Sequence, residues 1–165
     1  MEIKKGKIIV IEGIGCSGKT TQVKNVFQEL KKQGIPVVVS REPGGSLVGE
    51  EIRRILLDTS FKKTILPLTS VFLFNAARHQ FYEEIVRPTI ERGINVLTDR
   101  SFISTIAYQA YGEGLYPNLV NEICSKAMGD LLPKQIFVLD IDIEEMINRL
   151  SKRGNIQADR YDTMN

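Results

Sequence analysis

Eight consecutive residues, Gly13-Ile14-Gly15-Cys16-Ser17-Gly18-Lys19-Thr20, carry the G-x-x-x-x-G-K-T spacing of a phosphate-binding loop. Glycines let such a backbone curl so that successive N–H groups point inward, and the helix that follows adds its positive end. Lys19 then reaches the outer phosphates, and the hydroxyl of Thr20 can ligate Mg²⁺. Thr21 continues the segment. The specified positions match by chance in roughly half a percent of chains this long. The loop establishes that phosphate is held, not what becomes of it.

Three further groupings could act on a phosphate. Asp99-Arg100 closes a short apolar run; Arg100 could clamp an anion there while Asp99 orients it or holds metal-bound water. Phe74 and Arg78 stand one helical turn apart and share a face, so a flat ring could stack on one and be hydrogen-bonded by the other. Arg149, Lys152 and Arg153, with Arg160 beyond, make a basic stretch that could neutralise charge on a group in transit. His79, the lone histidine, reads as a partly exposed helix residue. Transfer to an already ionised phosphate oxygen needs no strong general base.

These groups need elements to bring them together. Lys7 to Glu12, Pro36 to Ser40, Ile94 to Thr98 and Gln135 to Asp140 are short, nearly continuous apolar runs, expected as strands buried on both faces. Helical spacing connects Val23, Val26, Phe27 and Leu30, and then Val48, Ile52, Ile55 and Leu56. A longer helix is expected from about Thr69 to Ile90, kinked or ended at Pro88, with Phe74, Ala77, Phe81 and Ile85 on one stripe. Leu119, Val120, Ile123 and Ala127 mark another helix, and Glu144 to Arg153 a last one. Strands alternating with helices predict an α/β fold, a parallel sheet covered on both sides. Ligands bind such sheets at the carboxyl ends of the strands. The loop, the R-E-P-G-G turn (Arg41 to Gly45) and D-R-S all fall there.

Bulk composition narrows the class. The chain has 165 residues and a net charge of +2, which suits one domain and argues against a nucleic-acid binder. Cys16 and Cys124 lie far apart and form no metal-ligand pattern. No apolar segment is long enough for a membrane span, so a reducing cytoplasm is the expected compartment.

The segments I-E-G-I-G-C-S-G-K-T-T-Q, R-E-P-G-G-S, F-N-A-A-R, T-D-R-S-F-I-S-T-I-A-Y-Q and R-L-S-K-R-G-N-I-Q-A-D-R-Y-D resemble the bacterial thymidylate kinase family. The resemblance is colinear from residue 7 to 162. It implies a P-loop NTPase fold of three α/β/α layers, in a single nucleoside monophosphate kinase domain over residues 1–165. It also implies transfer of the γ-phosphate of ATP to dTMP, giving dTDP for dTTP supply, with Mg²⁺ and as a homodimer. Residues 13–21 would hold ATP, with Thr20 and Asp99 at the metal. Phe74 would stack on the base, Arg78 and Thr105 would contact it, and Tyr108 would stand against the sugar. Arg100 would take the dTMP phosphate, while Glu42, Pro43 and Gln109 would line the same site. An arginine donor favours a carbonyl oxygen on the base edge over an amine, and so thymine over cytosine. Arg153, with Arg149 second, would act from a lid at about 149–162, since Cys16 stands where some relatives carry a loop arginine.

Three departures from the family pattern stand out. Gly15 replaces a common Asp or Glu, and Asp162 replaces a common Glu. The family's fifth strand is missing, so a four-stranded sheet with an open edge is expected. Two rival readings are a kinase of thymidine-like deoxynucleosides, which would need a base, and a catalytically dead nucleotide binder or switch. No N-K-x-D guanine-reading segment is present.

Overall fold

The computed structural model describes residues 5–61, 64–153 and 161, the side chain of Arg153 excepted. Four parallel strands, β1 (Ile8–Gly13), β2 (Val37–Arg41), β3 (Asn95–Asp99) and β4 (Gln135–Leu139), form one sheet in the order β2-β3-β1-β4. Every one lies within a residue or two of its anticipated span. β1 is central, pairing Ile8 with Val96 on one side and Ile9 with Gln135 on the other.

Successive side chains of a strand point to opposite faces, and β1 uses both. Ile8 and Val10, with Val96 of β3, pack against α3 (Pro67–Phe81) and α6 (Pro117–Met128) through Val71, Phe81, Val120 and Cys124. Ile9 and Ile11, with Leu97, pack against α1 (Lys19–Lys32) through Val23, Val26 and Phe27. This is the three-layer arrangement that the apolar runs and helical stripes require. Each fully buried aliphatic side chain contributes about 1.5–3 kcal/mol.

The outer strands depart from the expectation of burial on both faces. Val38 and Val39 of β2 and Phe137 and Val138 of β4 are exposed, because each strand is an edge of the sheet among the described residues. The long helix also differs from expectation. After α3 the backbone widens into a π-helical turn, Tyr82–Val86, and resumes as α4 (Arg87–Glu91), carrying Pro88 in its first turn. Helix therefore continues past Pro88, since proline's missing N–H is tolerated in a first turn. The segment after β3 likewise begins as α5 (Phe102–Thr105) and turns π-helical over Ile106–Gly112.

Candidate active site

The phosphate loop joins the end of β1 to α1. Gly13 at φ +147° must be glycine: a Cβ there would lie 2.5 Å from the carbonyl of Leu139 and 2.6 Å from Ser17 Oγ. Gly18, at φ +93°, caps α1 in a left-handed conformation open to glycine. Lys19 is buried, and its Nζ donates to the carbonyls of Gly13 (2.9 Å) and Ile14 (2.6 Å). Burial, followed by the charge of Arg100, pushes the Lys19 ammonium down to about 8. Thr20 Oγ1 donates to Asp99 Oδ2 at 2.7 Å, across the gap between the loop and the end of β3.

Beyond β3 the chain turns sharply. Arg100 has φ +71°, a left-handed conformation that costs a non-glycine residue about 1–2 kcal/mol. Its Nη1 donates to Ser104 Oγ (3.0 Å) and to the carbonyl of Gly13 (3.3 Å), and its guanidinium lies 5.7 Å from the ring centre of Tyr108. The only other non-glycine residue in this conformation among those described is Cys16, at φ +56°, in the phosphate loop. Such strain collects where the surrounding structure over-determines a site.

The anticipated acceptor residues meet in one cleft. Glu42 and Pro43 come from the turn after β2, Phe74 and Arg78 from α3, and Arg100, Thr105, Tyr108 and Gln109 from the segment after β3. The cleft is open at its mouth and lined by both charged and aromatic side chains, a composition that suits a small-molecule ligand. The Glu42–Pro43 peptide is cis, and the Glu42 N–H donates to the carbonyl of Asp99 at 2.9 Å, tying the two strand ends together.

Arg78 is fixed deep in this cleft. Its Nε donates to Glu42 Oε2 (2.7 Å), Nη2 to Thr105 Oγ1 (2.9 Å), and Nη1 to Asn75 Oδ1 (2.5 Å) and, more weakly, to Cys124 Sγ (3.6 Å). Burial pushes the Glu42 carboxyl up and the Arg78 charge pulls it back; Glu42 in turn holds Arg78 firmly protonated against its own burial. Four of the five guanidinium N–H groups are thereby used, leaving one on Nη2 without a partner among the described residues. Gln109 is fully buried, and its Oε1 likewise has no hydrogen-bond partner among the described residues. Within that set, Arg78 offers a spare buried donor and Gln109 a spare buried acceptor, both lining the cleft.

Arg149, in α7 (Ile143–Arg153), pairs with Glu145 (2.6 Å) and donates to the carbonyl of Cys16 at 3.3 Å, so it sits beside the loop. The backbone of Arg153 ends the same helix. Its side chain, Arg160 and Asp162, and most of the anticipated lid, lie outside the described residues. His79 is exposed on α3, as expected. Residues that spacing did not single out also line the cleft: Arg53, Leu57, Ser101, Ser104 and Tyr161. Tyr161 is in ring contact with both Phe74 (5.7 Å) and Tyr108 (5.5 Å), and its hydroxyl accepts from Gln109 Nε2 at 3.4 Å. The repeated serines of D-R-S-F-I-S carried a usable signal; Arg53, on an otherwise ordinary amphipathic helix, carried none.

A phosphate loop at the switch of a parallel sheet, facing an arginine-bearing cleft across a hydroxyl–carboxylate pair, defines a P-loop phosphotransferase. The family model described as thymidylate kinase matches residues 11–165, and the chain belongs to that family. It is 42% identical over 163 residues to the thymidylate kinase of Prochlorococcus marinus (strain NATL2A), covering 96% of this chain and 76% of that protein. The thymidylate kinase of Pelotomaculum thermopropionicum is 40% identical over 158 residues, covering 96% and 72%. Among solved structures, thymidylate kinase from Ehrlichia chaffeensis aligns at a TM-score of 0.77 with 34% identity, covering 88% of this chain and 82% of that one.

Proposed function

We propose that the chain transfers the γ-phosphate of ATP to dTMP, giving dTDP, and that it does so as one nucleoside monophosphate kinase domain over residues 1–165. The observation that carries the base assignment is the pairing of the spare Arg78 N–H with the unpartnered Gln109 Oε1 in one buried cleft. A thymine ring offers a C4 carbonyl beside an N3–H, complementary to both. Cytosine offers an amine donor and a bare ring nitrogen there, mismatched to both, and unpaired buried polar groups make such a mismatch costly. Phe74 stacks on the ring, Thr105 holds Arg78 toward it, and Tyr108 stands at the sugar.

Transfer then follows from the two cations at the shared mouth. Arg100, lying between Ser104 and the loop, holds the acceptor phosphate in line, and Lys19 leaves the loop carbonyls for the donor phosphates. The loop amides of residues 13–21 cradle those phosphates, with Arg149 and Arg153 neutralising charge on the transferred group from a lid at about 149–162. Thr20 and Asp99 present adjacent hard oxygen donors, a set that suits Mg²⁺ alongside phosphate oxygens and water. When bound there, the ion would offset negative charge on the donor phosphates. The enzyme is assigned to the cytoplasm; no helix among the described residues is long and apolar enough to cross a membrane. A homodimer is supported by α2 (Leu47–Leu57) and α3, which pack together and expose Leu47, Val48, Leu68 and Phe72.

ADP release with Mg²⁺–ATP against dTMP, dUMP, dCMP, AMP and thymidine tests the reading. Turnover is expected on dTMP and to a lesser degree on dUMP, whose reading edge is the same, with dCMP and thymidine near background. Preference for thymidine over dTMP would replace the reading with a nucleoside kinase.

A further inference from the structure

Glu12 interrupts an otherwise apolar β1 immediately before the phosphate loop, and the residue is 3% exposed. No lysine or arginine forms an ion pair with it among the described residues. A buried carboxylate of that kind is tolerated only when its lone pairs are filled, and these are. Oε1 accepts from the Ser101 N–H (2.7 Å), the Ser101 hydroxyl (2.8 Å) and the Ser104 N–H (3.3 Å). Oε2 accepts from the Ser104 hydroxyl (2.9 Å) and the Gly13 N–H (3.3 Å). Ser104 Oγ and the Gly13 carbonyl are also the two groups that accept from Arg100 Nη1, at 3.0 and 3.3 Å. One carboxylate therefore holds both residues against which Arg100 rests, and it pins the serine that follows the strained Arg100 backbone.

We propose that Glu12 is a positioning residue that aims Arg100 at the acceptor phosphate through Ser101, Ser104 and Gly13. This rests on the reading of Arg100 as the acceptor-phosphate clamp. Glu12 is not among the residues that line the cleft. Its effect travels through a carboxylate–hydroxyl–guanidinium chain, in which the carboxylate accepts the Ser104 O–H and so leaves the hydroxyl's lone pair toward Arg100.

Steady-state kinetics on Glu12→Gln, Ser104→Ala, Arg100→Ala and the Glu12→Gln/Arg100→Ala double variant test the proposal. A glutamine NH2 in place of Oε2 is a donor where the Ser104 hydroxyl and the Gly13 N–H both donate, so both lose that acceptor and the Ser104 hydroxyl must turn. Glu12→Gln should raise the KM for dTMP by about tenfold while the KM for ATP stays within about twofold. Ser104→Ala should act in the same direction by less. In the Arg100→Ala background, Glu12→Gln should add nothing to the dTMP KM. A dTMP KM unmoved by Glu12→Gln, an equal rise in both KM values, or full additivity with Arg100→Ala would overturn the positioning role. If Arg100→Ala alone leaves the dTMP KM unchanged, the clamp reading fails and this proposal fails with it. Should Glu12→Gln melt below the assay temperature, the Ser104→Ala/Arg100→Ala cycle decides: non-additivity supports the proposal and additivity overturns it.

Discussion

The two halves of the site hold their cations in opposite ways. On the acceptor side, Arg78 is part of the core: 2% exposed, ion-paired to Glu42 at 2.7 Å and hydrogen-bonded to Asn75 and Thr105. On the donor side, Lys19 rests on two carbonyls of its own loop, with its charge disfavoured by burial and by Arg100. Arg149 meanwhile pairs with an exposed glutamate. The cation proposed to read the base is thus pre-paired inside the fold, whereas the cations proposed to handle phosphate rest on loop carbonyls or an exposed glutamate, where a phosphate could draw them away. Pre-organisation suits recognition of a neutral base edge, and a cation held short of full satisfaction suits capture of an anion.

The largest expected effect lies on the donor side and in activity alone. Lys19→Ala should lower turnover of dTMP on the order of 10³-fold and leave the unfolding midpoint in urea unchanged or slightly higher. A large loss of stability would show that Lys19 is a structural cation like Arg78 and erase the contrast. The matching change on the acceptor side is Glu42→Ala, which strands a buried guanidinium. It should destabilise the fold by about 3–5 kcal/mol, measured by urea denaturation. Glu42→Leu with Arg78→Met should recover much of that stability yet lose the preference for dTMP over dCMP. Retained preference would remove Arg78 from base reading.

Arg149→Ala comes next. Its pair with Glu145 is exposed on both sides, so stability should move by less than about 0.5 kcal/mol. Loss of its charge beside the loop should lower kcat on the order of 10²-fold, with the dTMP KM little changed. An unaltered kcat would remove Arg149 from the proposed charge-neutralising role.

The contrast between the two halves also explains what was legible in the sequence. The phosphate loop is local: its glycines, lysine and threonine act through backbone curvature within eight residues, and spacing alone reveals it. Strand positions were equally readable, because an apolar run encodes a buried strand directly, although Val38 and Phe137 are exposed where the run suggested burial. An edge is a property of the sheet, not of the strand. The acceptor side is non-local. Arg78 and Glu42 are 36 positions apart, and Arg78 and Thr105 are 27 apart, so neither contact follows from periodicity; the family resemblance supplied those residues. Glu12 gave the clearest overlooked signal, a carboxylate inside an apolar run, but its partners are 89 and 92 positions away. The π-helical turns at Tyr82–Val86 and Ile106–Gly112 each widen a helix locally, a shift too short for the apolar spacing of a single sequence to mark.

The smallest expected effect probes the parked state of Lys19 itself. Its folded value of about 8 lies below the ordinary 10.5, so the sign is opposite to that of a salt-bridged lysine. Below pH 8 both folded and unfolded chains carry the proton, and the fold bears the full cost of burying the charge. Between about 8 and 10.5 the unfolded chain holds a proton that the folded chain has released, and stability rises with pH by up to about 1.4 kcal/mol per unit. Urea midpoints of the nucleotide-free, chelator-treated protein at pH 7, 8.5 and 10 (roughly spanning that window), each compared with Lys19→Met, isolate this group from other titrations. The gap in favour of Lys19→Met should be widest at pH 7 and close as pH rises. A gap that stays constant with pH would mean that Lys19 keeps its charge in the empty loop. Saturating ATP at pH 7 should close the gap from the other direction, because phosphate oxygens then supply the anion for which the buried ammonium is held in reserve.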